Sequence, residues 1–152
     1  MQALPSRLIA RIVAVALPLY FVWELAQIPA YVAESRSWLL IVASCGLATL
    51  GDALIVLALW GLGALVFRGT RWFAPPRVLR YAIIVIAGVV VNAIVEWLAV
   101  HRLGLWVYRG WQPTLPPLGT GLFAVLQPVV LLPVVFGLLA RRGRSPRPAG
   151  GA

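Results

Sequence analysis

Four apolar stretches, at roughly 8–32, 38–67, 79–101 and 119–140, leave this chain few ways to fold. Each is long enough to cross a bilayer, which takes about 20 residues of helix. In hydrocarbon the backbone of such a stretch satisfies its own hydrogen bonds by coiling into a helix. The composition agrees: with 62% hydrophobic and 11% charged residues, a soluble domain of 152 residues would lack polar surface. The expected fold is all-α, a polytopic membrane protein built as an antiparallel four-transmembrane-helix bundle over residues 1–140. The polar, Pro/Gly-rich segment 141–152, "RRGRSPRPAGGA", reads as a disordered tail. Arg7 and Arg11 ahead of the first stretch resemble a secretory signal. That stretch lacks a small-x-small cleavage site, contains Glu24 and precedes further spans, so it is expected to stay as a transmembrane helix.

The connections differ in character. "VAESRS" at 32–37 reads as a tight turn, "RGTRWFAPPRVLR" at 68–80 as a basic loop broken by Pro75-Pro76, and "RLGLWVYRGWQPTLPPLG" at 102–119 as a long aromatic loop. The second stretch holds Gly46, Gly51, Gly61 and Gly63 and is long for one crossing, so a tilt or kink is expected. All positive charge is arginine. Ten arginines (7, 11, 68, 71, 77, 80, 141, 142, 144 and 147) fall on the side shared by the termini and the middle loop, against Arg36, Arg102 and Arg109 on the other. The positive-inside rule then places both termini in the cytoplasm of a cell (inner or plasma) membrane protein. The net charge of +9 flanks apolar segments and forms no soluble basic face, so nucleic acid is not an expected partner.

Glu24 stands inside the apolar run "PLYFVWELAQIPAY" at 18–31. At about 1.5 Å per helical residue, Glu24 lies roughly 12 Å from the non-cytoplasmic end of its span. Asn92, Glu96 and Gln127 lie about 13, 8 and 13 Å in, and Asp52 about 21 Å. All four spans thus bring a polar group to the same half of the membrane. Each intramembrane carboxylate costs on the order of 2.5–3.5 kcal/mol on insertion scales, so Glu24, Asp52 and Glu96 require protonation, hydrogen-bonding partners or a hydrated cavity. Asn92 and Glu96 share a helix face four residues apart, so the amide is placed to donate to the carboxylate. Tyr20, Trp23 and Trp97 offer further donors. Two readings stay open for these groups: interhelical contacts that hold the bundle together, or a site for a ligand.

The aromatic loop carries Trp106, Tyr108 and Trp111, which suit a membrane–water interface and equally a cover over the polar layer. Pro128 and Pro133 lack an N–H and free the carbonyls near residues 124 and 129, which are then available to line a cavity. Arg102 and Arg109 are placed to attract an anionic head group. Cys45, the single cysteine, reads as a buried thiol. There is no nucleotide-binding loop, no histidine–carboxylate metal motif and no Ser-His-Asp set, so no cofactor and no metal is expected and any chemistry would be acid–base.

Gly51-Asp52, Glu96-Trp97, Trp106-x-Tyr108 and "GTGLFAVLQP" at 119–128 together resemble small four-span bacterial membrane proteins, a group that brings no activity with it. Trp23-Glu24 is similar to the Trp-Glu pair of membrane-embedded terpene cyclases, in which a tyrosine follows on the same helix. Here the tyrosine is Tyr31, with Gln27 between, and those cyclases have more spans. The resemblance implies an isoprenoid- or lipid-like substrate.

The expected function is a membrane-embedded site for a lipophilic molecule. In its enzymatic form, protonated Glu24 or Glu96 donates to an alkene or epoxide, while Asp52 or the other glutamate accepts a proton. Trp23, Trp97 and Trp106 present π faces to developing positive charge, and Gln27, Asn92, Tyr108 and Gln127 complete the ligand contacts. Two alternatives are an accessory or assembly subunit bound to a partner membrane protein, and a small proton-coupled transporter working as a homodimer.

Overall fold

The computed structural model describes residues 6–32 and 37–142. The centre of the turn read at 32–37, including Arg36, and the tail from 143 onward lie outside the described residues. Four helices make up the structure: α1 (Ser6–Gln27), α2 (Trp38–Val66), α3 (Val78–Trp97) and α4 (Leu122–Arg142). They pack antiparallel, α1 chiefly on α2 and α3 chiefly on α4, with α2 and α3 meeting less than either of those pairs. Counting the turns that extend them, the candidate spans are Ser6–Ala30, Trp38–Val66, Val78–Arg102 and Leu122–Arg141, with mean hydropathies of 1.8, 2.1, 2.5 and 2.5.

Local chemistry sets the ends. Pro29 lacks the N–H that would continue α1, and the chain tightens into a 3₁₀ turn over Ile28–Ala30. The Ser37 hydroxyl caps α2 by accepting from the Leu40 N–H at 3.4 Å. After Trp97, α3 widens into a π-helical turn over Leu98–Arg102, closed by the Leu103 N–H on Leu98 O at 3.0 Å. The glycines of α2 leave it an uninterrupted helix of 29 residues. Helix α4 begins three residues later than the apolar run, because 119–121 belongs to a small hairpin. There β1 (Thr114–Leu115) pairs with β2 (Thr120–Gly121), and Gly119 turns the chain with φ +66°.

The bundle has two unlike ends. At the end holding the connection between α2 and α3, the segment read as a basic loop folds back into the core. Trp72 and Phe73 are buried, and Trp72 lies 4.8 Å and Phe73 5.5 Å from the Phe136 ring, centroid to centroid. Two indoles lock the return: Trp60 Nε1 donates to Thr70 O at 2.9 Å, and Trp72 Nε1 to Trp60 O at 3.1 Å. Gly63 permits this, since a Cβ there would run into the Trp72 indole. Ile12, Val56, Ile84, Leu132 and Val135 complete an apolar core.

The other end is closed by the long loop. Val32 N donates to Val107 O and Arg109 N to Ala30 O, both at 2.9 Å, so the 30–32 segment is stitched to 107–109. Arg109 Nε adds a bond to Tyr31 O at 3.2 Å.

Candidate functional site

Beneath that loop the four helices each direct a polar side chain inward. Gln127 of α4 sits at the centre and is 3% exposed. Its Nε2 donates to Asp52 Oδ2 of α2 at 3.1 Å and to Glu24 Oε1 of α1 at 3.3 Å. Its Oε1 accepts from Asn92 Nδ2 of α3 at 2.9 Å. One amide therefore uses both ends of its dipole to tie the four helices together. Gln27 Nε2, one turn after Glu24, donates to the same Glu24 oxygen at 2.8 Å.

The second proton of Asn92 goes to Ala124 O at 3.1 Å. That carbonyl has no helical partner because Pro128, four residues on, has no N–H. Asn92 is thus drawn toward α4 by two acceptors, and it does not donate to Glu96 as its spacing suggests.

Glu96 has a separate environment. Its Oε1 accepts from Tyr108 OH at 2.7 Å, Tyr31 OH at 3.3 Å and Trp106 Nε1 at 3.3 Å. The Tyr108 oxygen in turn accepts from Gly121 N at 2.8 Å, which fixes the hairpin to the carboxyl group. Gly121 is required there, since a Cβ would lie 2.9 Å from the Tyr108 ring. Burial pushes the Tyr31 and Tyr108 hydroxyls well above the usual phenol range, and the adjacent Glu96 adds to the effect. Both therefore stay protonated and act as donors.

Between these groups lies a cavity of about 140 Å³. Glu24, Gln27, Asp52, Asn92, Glu96 and Gln127 line it, with Trp106 and Tyr31 on the loop side and Ile41, Cys45, Ile55 and Val95 as apolar wall. Seven of the ten residues singled out from the sequence thus border one space: Glu24, Asp52, Glu96, Gln27, Asn92, Trp106 and Gln127. Three do not. Tyr108 stands behind Glu96. Trp97 packs on His101 at 5.9 Å and beneath the Arg102 guanidinium at 5.3 Å. Trp23 faces a different cavity, shared with Trp111 and Phe123, and its Nε1 is enclosed without a partner among the described residues. Tyr20 is buried in the apolar core.

Sequence reasoning did not assign Tyr31 to Glu96, because their meeting depends on the pairing of 30–32 with 107–109. It also left out Ile41, Cys45 and Ile55 as neighbours of Asp52. Their spacing of four, seven and three residues along α2 carries the signal, since it places all four on one helix face.

Fold and site together define a multi-pass helical membrane protein with its polar side chains gathered at one end of the bundle. Comparison with protein-family models, curated proteins and solved structures gives no match to this chain, so neither resemblance drawn from its motifs gains support there.

Proposed function

We propose that the protein binds a lipophilic molecule whose polar end enters the cavity among Glu24, Asp52, Glu96 and Gln127. The observation that carries this reading is the cavity itself: four apolar helices converge on a space lined by three carboxyl groups and three amides. A role limited to helix packing would favour filling that space, because an interior void forfeits contacts on every side. Acid–base chemistry is available, with Glu24 and Glu96 as proton donors and Asp52 as acceptor. Trp106 and Tyr31 offer the aromatic faces. With Trp23 and Trp97 turned elsewhere, the reading centres on ligand binding, and carbocation catalysis has only part of its expected apparatus.

Two observations support this reading over its rivals. The carboxyl and amide groups turn toward one another around a shared cavity and each has at least one bond within its own chain, so they do not form an outward face for a partner subunit. The other half of the bundle is filled by Trp60, Trp72, Phe73 and Phe136, where a proton-coupled transporter would need a path. The arginine distribution supports a cell-membrane protein with cytoplasmic termini, so the cavity belongs to the half facing away from the cytoplasm.

The test is native mass spectrometry with lipid extraction on the wild type, Glu24→Gln and Glu96→Gln. The expected result is a specific lipophilic molecule held by the wild type and lost by both variants. If all three fold and carry only bulk lipid, the reading is wrong.

A further inference from the structure

The three carboxyl groups are each hydrogen-bonded through one oxygen. Every donor described reaches Glu24 Oε1, Asp52 Oδ2 or Glu96 Oε1, which leaves Glu24 Oε2, Asp52 Oδ1 and Glu96 Oε2 without one among the described residues. Among the described residues, the enclosed side-chain polar atoms that lack a partner are Trp23 Nε1, Gln27 Oε1, both polar atoms of Gln112, and Thr120 Oγ1. The three remaining carboxyl oxygens are not among them, so they border open space. The space that Glu24, Asp52 and Glu96 share is the cavity.

With its carboxyl groups ionised opposite a cation, that cavity is rich in acceptors and poor in donors. Among the described residues no arginine, lysine or histidine lines it; Gln127 and Asn92 spend both amide N–H groups on carboxyl, amide or backbone oxygens, and Gln27 gives one of its two to Glu24. Arg109, close in the fold, turns its Nε to Tyr31 O. A carboxylate or phosphate head group would meet three acidic side chains with no counter-charge among the described lining residues. A primary ammonium group carries three N–H donors, no acceptor and a positive charge. The Tyr31 and Trp106 rings, inclined at 80° with centroids 6.2 Å apart, add aromatic surface suited to a cation.

The cavity also has a side entrance. Helices α2 and α3 meet at Leu59 and Gly88, where a Cβ on the glycine would lie 3.2 Å from Leu59 Cδ1. Toward the loop end the lining residues that are exposed are Val32, Ser44 of α2 and Val95 of α3. Ser44 and Val95 lie within candidate spans, so a mouth between them faces hydrocarbon.

We infer that the ligand is a lipophilic primary amine, which enters from the bilayer between α2 and α3 and places its ammonium group among Glu24, Asp52 and Glu96. This rests on the ligand-binding reading above and gives it a substrate class. The mouth leaves the alkyl part of the molecule in lipid, so the cavity needs to hold only the head and the first few carbons.

The experiment compares a straight-chain amine, alcohol and carboxylic acid of one chain length, isotopically labelled, on the full chain in phosphatidylcholine nanodiscs. Empty nanodiscs supply the background. At neutral pH the amine is a cation and the acid an anion. The wild type is expected to retain the amine at least about tenfold more tightly than the alcohol, and the acid least. Asp52→Asn with Glu24→Gln should erase that advantage, and Ser44→Trp, at the mouth, should lower retention of all three. Thermal unfolding of each variant shows whether it is folded. If the folded wild type retains the alcohol as well as the amine, the amine assignment is overturned while the ligand site stands. The assignment falls in the same way if the preference for amine survives in the folded double variant. Retention of none of the three above empty nanodiscs overturns both.

Discussion

The two ends of this bundle close by different physics. At one, Trp72 and Phe73 return from the α2–α3 connection to pack on Phe136, and a glycine lets the indole lie against the α2 backbone. At the other, three carboxyl groups, three amides and a cavity occupy the corresponding place, and the covering loop is held by backbone bonds to 30–32 and by three donors to one Glu96 oxygen. A membrane protein gains little from burying apolar side chains that lipid would solvate equally well, so close packing and hydrogen bonds must hold its helices. The aromatic end relies on the first. The polar end relies on the second and leaves space unfilled, and the contrast separates a region built for stability from one where open space is retained.

The comparison breaks first at Phe136. This ring is 1% exposed and touches both returning aromatics. Phe136→Ala should cost about 3–5 kcal/mol, the range for a large aromatic removed from a packed core. Thermal unfolding in nanodiscs would measure it. A loss no greater than that from polar-end variants would remove the distinction between the two ends.

Gln127→Leu comes next. It deletes contacts to Glu24, Asp52 and Asn92, and at about 0.6 kcal/mol for an average interhelical hydrogen bond the sum is about 2 kcal/mol. Asn92 keeps Ala124 O and Glu24 keeps Gln27, whereas Asp52 loses its donor among the described residues. Ligand retention should therefore suffer more than stability. A variant that unfolds outright would show the amide to be a structural keystone of the entire bundle.

Tyr108→Phe should cost less, about 1.2 kcal/mol at about 0.6 kcal/mol for each of the two hydrogen bonds lost, with most of the ring packing kept. Glu96 retains Tyr31 and Trp106, but Gly121 N loses its acceptor. Hydrogen exchange at the hairpin, 114–121, should rise while exchange in the Trp72 region stays as it was. Equal acceleration at both ends would mean that the loop is not fastened locally through Glu96.

Much of this was legible in the sequence, and the limits are physical. Span positions follow from hydropathy and length, and the convergence of Glu24, Asp52, Asn92, Glu96 and Gln127 follows from depth counted at helical rise. The vacant carbonyl at Ala124 follows from Pro128 alone. What resisted reading depends on the third dimension. The segment at Trp72 and Phe73 sits among arginines and prolines, so its hydropathy gives no sign that two of its residues plug the core. Tyr31 and Glu96 meet only because backbone at 30–32 pairs with backbone at 107–109. Depth also cannot say which way around the helix a residue points, and for that reason Trp23 and Trp97 passed as neighbours of the acids.

The last contrast lies within the polar end and has the smallest expected effect. Trp97 follows Glu96 in sequence at nearly the same depth, yet its ring packs on His101 and Arg102 outside the cavity, whereas Trp106 lines it. Trp97→Phe keeps an aromatic face for Arg102 and should change stability by no more than about 0.5 kcal/mol. Trp106→Phe removes the Nε1 donor to Glu96, a bond that is already long at 3.3 Å, and reshapes a cavity wall. Retention of the labelled amine should thus fall for Trp106→Phe and hold for Trp97→Phe, with both variants equally folded. The reverse order would place the ligand on the outer surface of α3 and not inside the bundle. The free carboxyl oxygens would then be polar groups tolerated in an empty space, and the difference between the two ends would be one of packing alone.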